Sequence, residues 1–238
     1  RKKLGDEVVL FNQQAGAWQG NIIAMDKKSA RVVLGQCLQS PPARAVPAPI
    51  LAFCLLEKSR LDILLPKAIE LGVGEMIAIK SDFTERKKEE WDNALEKWRR
   101  VSLAAVEQSE RLAVPIIHPA MALTDINTWL TARRADDQLS DDIQIFYGDE
   151  RRHAPPFLAM LASMGHHSSP KKNPTAIHRP PPAVMLVGPP AGFSLGEHEW
   201  LQQQKNIHGV HLGDNILRSE TAALAMLAGW LFFYHADS

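Results

Sequence analysis

Short apolar runs separated by polar turns fill the first 39 residues, a pattern that indicates a small β-sheet. Val, Ile and aromatic residues are concentrated in three runs, which predict strands over residues 6–11, 17–25 and 30–35. A basic run comes directly before the first of them. We therefore expect a small β-domain that is incomplete at its amino end.

The pattern changes after residue 50 to apolar runs that alternate with amphipathic stretches, which predicts an α/β domain. Continuous apolar runs are typical of buried parallel strands, whereas spacings of three and four residues indicate helices. Strands are predicted over 50–56, 76–80, 114–117, 143–147, 183–187 and 207–212; helices are predicted over 59–71 and 88–111, after Ser194 and from Ser219. The proline-rich stretch 41–49 separates the two patterns, so the predicted domains are 1–49 and 50–238.

One stretch of the second domain differs from the rest in composition. Between residues 151 and 180 there are five basic residues, five prolines and no acidic residue, which predicts an exposed and poorly ordered loop. Either an RNA contact or a tolerated surface insertion would account for it.

The distribution of charge along the chain limits the kinds of partner that the protein is expected to bind. With 27 basic and 27 acidic residues the formal net charge is zero, which argues against a protein that grips nucleic acid with its entire surface. The first 49 residues hold seven basic and three acidic residues, a net charge of +4. This excess fits phosphate contacts and a solvated face equally well.

The sequence contains no apolar run of membrane-spanning length and no apolar segment after its basic start, so we expect neither a membrane span nor a signal peptide. A cytoplasmic protein is the simplest interpretation. Cys37 and Cys54 are far apart, and His208 and His211 fall in a predicted strand, so we expect no metal site.

The run from Leu212 to Ala222 is the most informative part of the chain. A predicted strand ends at Gly213 and a small-residue helix begins near Ser219, which puts Arg218 at a strand-to-helix junction. Such a junction offers backbone N–H groups and a long cation to a ligand.

A second glycine turn, Gly188 to Gly192, follows the predicted strand at 183–187. Ser194 and Glu197 have the spacing of a helix capping box. We expect this turn and the Gly213 turn to open into one crevice, as the carboxyl ends of neighbouring parallel strands do. The chain has no GxGxxG or P-loop motif.

Three motifs occur in a characteristic order: KAIELGV at 67–73, EQSER at 107–111 followed by Val114-Pro115, and Gly188-Pro189 with LGDNILRSETA at 212–222. Taken singly, Lys67 with Glu70 and Glu107 with Arg111 have the spacing of structural ion pairs on helices. In this order the motifs resemble the RsmE family, the 16S rRNA (uracil-N3) methyltransferases of the SPOUT class. The resemblance extends over nearly the whole chain, and Arg1 with Gly5-Asp6 matches the family's R-x-x-x-GD run.

The resemblance implies a C-terminal SPOUT-type α/β domain with a deep trefoil knot, an N-terminal PUA-like β-barrel for RNA binding, and a homodimer. It also implies S-adenosylmethionine as cofactor and 16S rRNA in the small ribosomal subunit as partner. The matching cofactor positions are Leu186, Val187, Gly188, Pro189, Gly192, Leu212, Gly213, Ile216, Leu217 and Arg218. We expect RNA contacts from Arg1, Lys2, Lys3 and Arg111.

One departure bears on activity. Pro190 and Ala191 stand where the family usually has glutamate and glycine, so this chain lacks the carboxylate that the family has in this turn. Two alternatives to the RsmE activity follow: a SPOUT-like enzyme that acts on another RNA site, and a non-catalytic RNA-binding assembly factor.

Methyl transfer from a sulfonium to uracil N3 needs no metal, but it needs in-line positioning, loss of the N3 proton and stabilisation of charge on the flanking carbonyl oxygens. We predict that Arg218 stabilises this charge. Glu220 is predicted either as the proton acceptor or as part of a helix cap.

Overall fold

The computed structural model describes residues 2–41, 48–84, 87–109, 111–135, 143–150, 154–165 and 183–235. The chain divides into two compact units, the first formed by Arg1–Val46 with Val106–Val114 and the second by Pro47–Ala105 with Pro115–Ser238. The domain division after Pro49 stays a prediction. No sequence pattern indicated that 106–114 return to the first unit.

The first unit contains an antiparallel sheet of three strands in the order β1-β2-β3: β1 (Glu7–Asn12), β2 (Gly16–Met25) and β3 (Ala30–Gln39). Both hairpin turns are closed by a short polar side chain that accepts backbone hydrogen bonds. Asn12 Oδ1 accepts from Gln14 N and Ala15 N at 2.9 and 2.6 Å, and Asp26 Oδ1 accepts from Lys28 N and Ser29 N at 2.8 Å.

A six-stranded parallel sheet forms the centre of the second unit, so the predicted α/β class is confirmed. Its strands are β4 (Ile50–Cys54), β5 (Glu75–Lys80), β6 (Ile116–Ala122), β7 (Gln144–Gly148), β8 (Ala183–Val187) and β9 (Ile207–Val210). Their order in the sheet is β6-β5-β4-β8-β7-β9. Every residue of β4 and β8 is buried, as their continuous apolar sequences predict.

The helices of the described residues are α1 (Lys58–Glu70), α2 (Lys88–Gln108), α3 (Ile126–Ala135), α4 (Phe157–Gly165), α5 (Leu195–Gln203) and α6 (Ser219–His235), with a 3₁₀ turn at Leu123–Asp125. All belong to the second unit except the last three residues of α2. Helix α1 ends at Glu70 and is followed by a turn at Gly72, whose φ of +88° suits glycine; Val73 N donates to Ala68 O at 3.1 Å. Helix α6 packs against α1, α4, β4 and β8. The chain therefore returns from the edge strand β9 to the middle of the sheet.

Three expectations are corrected by the structure. Helix α2 ends at Gln108 rather than Arg111, so Glu107 and Arg111 do not share a helix face. Strand β6 begins at Ile116 and continues through Pro119, which an edge strand tolerates because it lacks a neighbour on one side. Residues 157–165 form α4 inside the stretch expected to be irregular, since the composition of 30 residues concealed one short apolar run. Residues 166–180 lie outside the described residues.

A charged cluster occupies the amino end of this sheet. Glu75, the first residue of β5, pairs through both carboxylate oxygens with Arg133 of α3, and its Oε2 lies 2.6 Å from His118 Nε2. Trp129 covers the cluster, with its ring 4.9 Å from the Arg133 guanidinium and edge-to-face with His118. Burial would raise the pKa of Glu75, but the hydrogen bond with His118 and the charge of Arg133 outweigh it and hold that pKa below its ordinary value.

Candidate active site

The loops that leave the carboxyl ends of β7, β8 and β9 surround a cavity of about 430 Å³. Arg60 of α1 and the first turn of α6 complete its wall, and all of these residues belong to the second unit. The glycine turns after β8 and β9 do line one crevice, although their strands are not neighbours. Strand β7 lies between them, so its own loop is also part of the site.

The loop after β8 is a tight turn in which Gly192 N donates to Pro189 O at 2.9 Å. Pro190 and Ala191 are its two central residues, and proline fits the first of these because its φ is already fixed near the required value. Gly192 has φ +76°, and a Cβ on Gly188 would meet the Phe193 ring at 3.0 Å. The departure from the family pattern is therefore compatible with a formed turn that exposes Pro190 and Ala191 to the cavity.

Helix α5 begins with the predicted capping box, which is confirmed. Glu197 N donates to Ser194 Oγ at 3.2 Å and Ser194 N donates to Glu197 Oε2 at 2.8 Å. Asp82, after β5, joins the same cap, since its N donates to Glu197 Oε1 and its Oδ2 accepts from Ser194 Oγ. The cap thus anchors the glycine turn to a second loop.

The loop after β9 is held at its start by backbone pairing. His211 N donates to Pro155 O at 3.0 Å, Phe157 N donates to His211 O at 3.1 Å, and His211 Nδ1 accepts from Gly213 N at 3.3 Å. Gly213 has φ +108°, a conformation that favours glycine. The chain then runs along the cavity to Arg218, whose carbonyl accepts the helical bond from Ala222 N at 2.8 Å.

Most residues predicted to bind the cofactor lie together on the cavity wall: Val187, Gly188, Pro189, Gly192, Leu212, Gly213, Ile216, Leu217 and Arg218. Leu186 is fully buried in β8 and is not part of that wall. The side chain of Arg218 is exposed at the start of α6. Which of these residues contact a ligand stays a prediction.

Glu220 lies beside the cavity and not on its wall. Its carboxylate is buried in the first turn of α6, and its Oε2 lies 3.9 Å from Nη1 of Arg60. The first turn of a helix favours a negative charge, because the helix dipole is positive there. Arg60 does line the cavity, so it connects Glu220 to the site.

Sequence reasoning missed Arg60 and the loop after β7. Gly148, Asp149 and Glu150 all line the cavity. The signal was present, since an apolar strand followed by Gly-Asp-Glu resembles the other two strand ends, but no repeated glycine marked it.

The residues predicted to contact RNA belong to the first unit, except that Arg1 lies outside the described residues. Lys2 and Lys3 are exposed, and Lys2 Nζ donates to Glu7 O at 2.7 Å. Arg111 is half-buried, and burial lowers the pKa of its guanidinium. Their role stays a prediction.

Among the described residues, no group of three or more His, Cys, Asp or Glu side chains is arranged to hold a metal ion. The Nε2 atom of His208 lies 2.8 Å from the Oε1 atom of Gln144. Within the described ranges, no helix has both the length and the apolar character needed to cross a membrane.

Comparison with protein families decides the class. The model of the RNA methyltransferase domain matches residues 46–231, and that of the RNA methyltransferase PUA domain matches residues 1–35. The chain belongs to the RNA methyltransferase family. Its cavity at the strand ends thus lies in the methyltransferase domain, and the basic first unit overlaps the PUA domain.

The predicted resemblance to the RsmE family is confirmed by the names of individual relatives. Ribosomal RNA small subunit methyltransferase E of Rickettsia conorii is 25% identical over 228 residues, which cover 96% of this chain and 81% of that protein. The methyltransferase E of Neisseria gonorrhoeae, solved with bound S-adenosyl methionine, has a TM-score of 0.66 and 22% identity over 95% of this chain and 82% of that one. A putative methyltransferase of Legionella pneumophila, solved with SAM, has a TM-score of 0.69 and 21% identity over 97% of this chain and 84% of that one.

Proposed function

We propose that this RNA methyltransferase transfers the methyl group of S-adenosylmethionine to N3 of a uridine in the 16S rRNA of the small ribosomal subunit. The observation that carries the proposal is the cavity at the ends of β7, β8 and β9, with Arg218 at the start of α6. The names of the relatives from R. conorii and N. gonorrhoeae support the substrate and the cofactor.

The cavity fits a nucleoside cofactor in size and lining. About 430 Å³ is within the usual range for small-molecule sites. The backbone of Gly188 and Gly192 forms part of the wall, and Leu212, Ile216 and Leu217 offer apolar surface. When bound, S-adenosylmethionine supplies an activated methyl group, and the reaction then depends mainly on how the protein positions the uracil.

Arg218 is our candidate for the catalytic residue. Loss of the N3 proton to solvent water leaves negative charge on the uracil carbonyl oxygens, and an exposed guanidinium on the cavity wall is suited to stabilise it. A guanidinium supplies several N–H donors in one plane, which suits it to contact a carbonyl oxygen of the uracil.

We assign Glu220 a positioning role through Arg60 instead of the role of proton acceptor, because its carboxylate is buried and is not part of the cavity wall. Glu220→Gln separates the two roles. If Glu220 accepts the proton, the variant loses the pH dependence of kcat; if it positions Arg60, kcat falls while the shape of the pH profile is kept.

We further propose that the first unit binds rRNA around the target with Lys2, Lys3 and Arg111, and that the enzyme acts as a cytoplasmic homodimer. The return of the chain from β9 to α6, against β4 and β8, supports the SPOUT-type trefoil knot that the family resemblance implies. Sedimentation velocity tests the dimer, and a monomer at micromolar concentration contradicts it.

The decisive experiment is methyl transfer from radiolabelled S-adenosylmethionine to small subunits that lack the modification, followed by mapping of the methylated nucleotide. We expect one labelled uridine, modified at N3. Label at another position would indicate a different RNA target. Calorimetry that detects no cofactor binding by the folded chain would favour an assembly factor without catalysis.

A further inference from the structure

The loop after β7 places a carboxylate against the glycine turn of the cavity. Glu150 lies two residues beyond the end of β7 and lines the cavity with a side chain that is 39% exposed. A Cβ built on Gly192 would lie 2.1 Å from its Oε1 atom, so the carboxylate rests directly on the backbone of the turn. Any ligand that follows this turn passes close to Glu150.

A buried histidine lies beside this carboxylate on the protein side. His198 Nε2 lies 3.9 Å from Glu150 Oε1, and the His198 side chain is only 3% exposed. Among the described residues this Nε2 atom has no hydrogen-bond partner, while Tyr147 and Phe193 pack edge-to-face against the ring. Since a carboxylate accepts about four hydrogen bonds, Glu150 keeps acceptor capacity for a ligand in the cavity.

Two cations, Arg60 and Arg218, lie on other parts of the wall, and Arg218 is the one proposed to act on the uracil. Arg60 follows β4, and β8 separates β4 from β7, so the two strand ends are about 10 Å apart at the usual strand spacing. In S-adenosylmethionine the carboxylate and the ammonium share one carbon and are found at the same end. Attraction between that carboxylate and Arg60 directs the methionine end towards α1 and leaves the nucleoside end beside Glu150.

We propose that Glu150 accepts hydrogen bonds from the ribose hydroxyls of the cofactor, with His198 as the residue that positions it. The inference rests on the proposed use of S-adenosylmethionine and adds the orientation of that molecule. Hydroxyl donors and a carboxylate acceptor form charge-assisted hydrogen bonds, which are stronger than those between neutral groups.

Calorimetry of the full chain with two probes tests the orientation: S-adenosylmethionine, and 5′-methylthioadenosine, which keeps the ribose but lacks the amino acid. We expect Glu150→Ala to weaken both affinities by at least about tenfold, because it removes hydrogen bonds to a charged group. Arg60→Ala should weaken only the affinity for S-adenosylmethionine. Glu199→Gln, at an exposed position of α5, is the matched control and should change neither affinity.

The outcomes are distinct. If Glu150→Ala weakens only S-adenosylmethionine, Glu150 binds the ammonium and the proposal is wrong. If it changes neither affinity while the parent chain binds S-adenosylmethionine, the proposal fails and the proposed function stands. If the parent chain binds neither probe, both fail. Should Glu150→Ala not fold, Glu150→Gln, which keeps one oxygen acceptor, must weaken both affinities by a smaller factor.

The positioning role of His198 has its own readout. We expect His198→Gln to weaken the binding of 5′-methylthioadenosine in the parent chain but not in Glu150→Gln. Equal losses in both backgrounds would show that His198 acts through packing alone, and would overturn its positioning role.

Discussion

The two ends of the parallel sheet use charge in different ways. At the amino end, Glu75 binds Arg133 and His118 beneath Trp129, and both acid and base are mostly buried. At the carboxyl end, Arg60, Glu150 and Arg218 line a cavity, and the arginine at the start of α6 is exposed. Charges that are paired and covered stabilise a fold, whereas charges left facing a cavity are available to a ligand. The comparison separates the structural ion cluster from the site, so substitutions at the two ends should have different effects.

The largest effect is expected at the cavity. Arg218→Ala should lower the rate of methyl transfer to small subunits by about 10³-fold, the upper range for removal of one group that stabilises developing charge. The temperature of unfolding should change little, because the side chain is exposed. Arg99→Ala, at an exposed position of α2, is the control and should keep the rate. A near-normal rate for Arg218→Ala would remove this residue from the mechanism.

At the opposite end, a substitution should affect stability and leave binding intact. Glu75→Ala leaves the mostly buried Arg133 without this partner and should lower the free energy of unfolding by about 3 kcal/mol, measured in urea. Glu70→Ala removes the exposed pair with Lys67 and should cost less than about 1 kcal/mol. The affinity of folded Glu75→Ala for S-adenosylmethionine should be unchanged, and a large loss of that affinity would contradict the separation of the two ends.

The same cluster predicts a pH dependence of stability. Because the folded pKa of Glu75 is below its ordinary value of 4.5, its stabilisation is complete above that value and is lost as the pH falls through the folded pKa. The free energy of unfolding of the parent chain should therefore fall more steeply below about pH 4.5 than that of Glu75→Gln. If the free energies of unfolding of the two proteins change in parallel between pH 3 and 7, Glu75 does not contribute to the pH dependence of stability.

A matched pair of glycines tests the turn of the cavity. Gly192→Ala places a methyl group against Glu150 at positive φ and should destabilise the fold by about 1–2 kcal/mol and weaken cofactor binding. Gly196→Ala, four residues further on, meets no atom within 4 Å and should be neutral or slightly stabilising in α5. Equal behaviour of the two variants in thermal unfolding and calorimetry would argue against a constrained turn.

The smallest effect is expected in the first unit. Lys2→Ala and Lys3→Ala should each reduce the salt dependence of rRNA binding by about one unit of log K against log salt, provided that each lysine contacts a phosphate. Filter binding at several salt concentrations measures this slope. Lys205→Ala, at an exposed position of the second unit, is the control, and the assignment fails if all three slopes equal that of the parent chain.

The sequence predicted features that depend on neighbouring residues, and it did not predict features that depend on the order of strands in the sheet. Glycine at a strand end is a local requirement of the backbone, so Gly192 and Gly213 marked two loops of the cavity. Arg60 enters the site only because β8 lies beside β4, and strand order is not encoded in any short pattern. Helix α4 was missed because the prolines and basic residues around it dominated the composition.

The position of β8 has a consequence for how the chain folds. Residues 183–187 pair with β4 on one side and β7 on the other, so the centre of the sheet is filled by a segment that follows both neighbours in the chain. Until that segment emerges from the ribosome, β4 and β7 present unpaired edges, and closing the sheet requires contacts such as Ile50 with Val184, which are 134 positions apart. We expect refolding from urea to be slow and increasingly prone to aggregation as the protein concentration rises, with tryptophan fluorescence and light scattering as the two measurements.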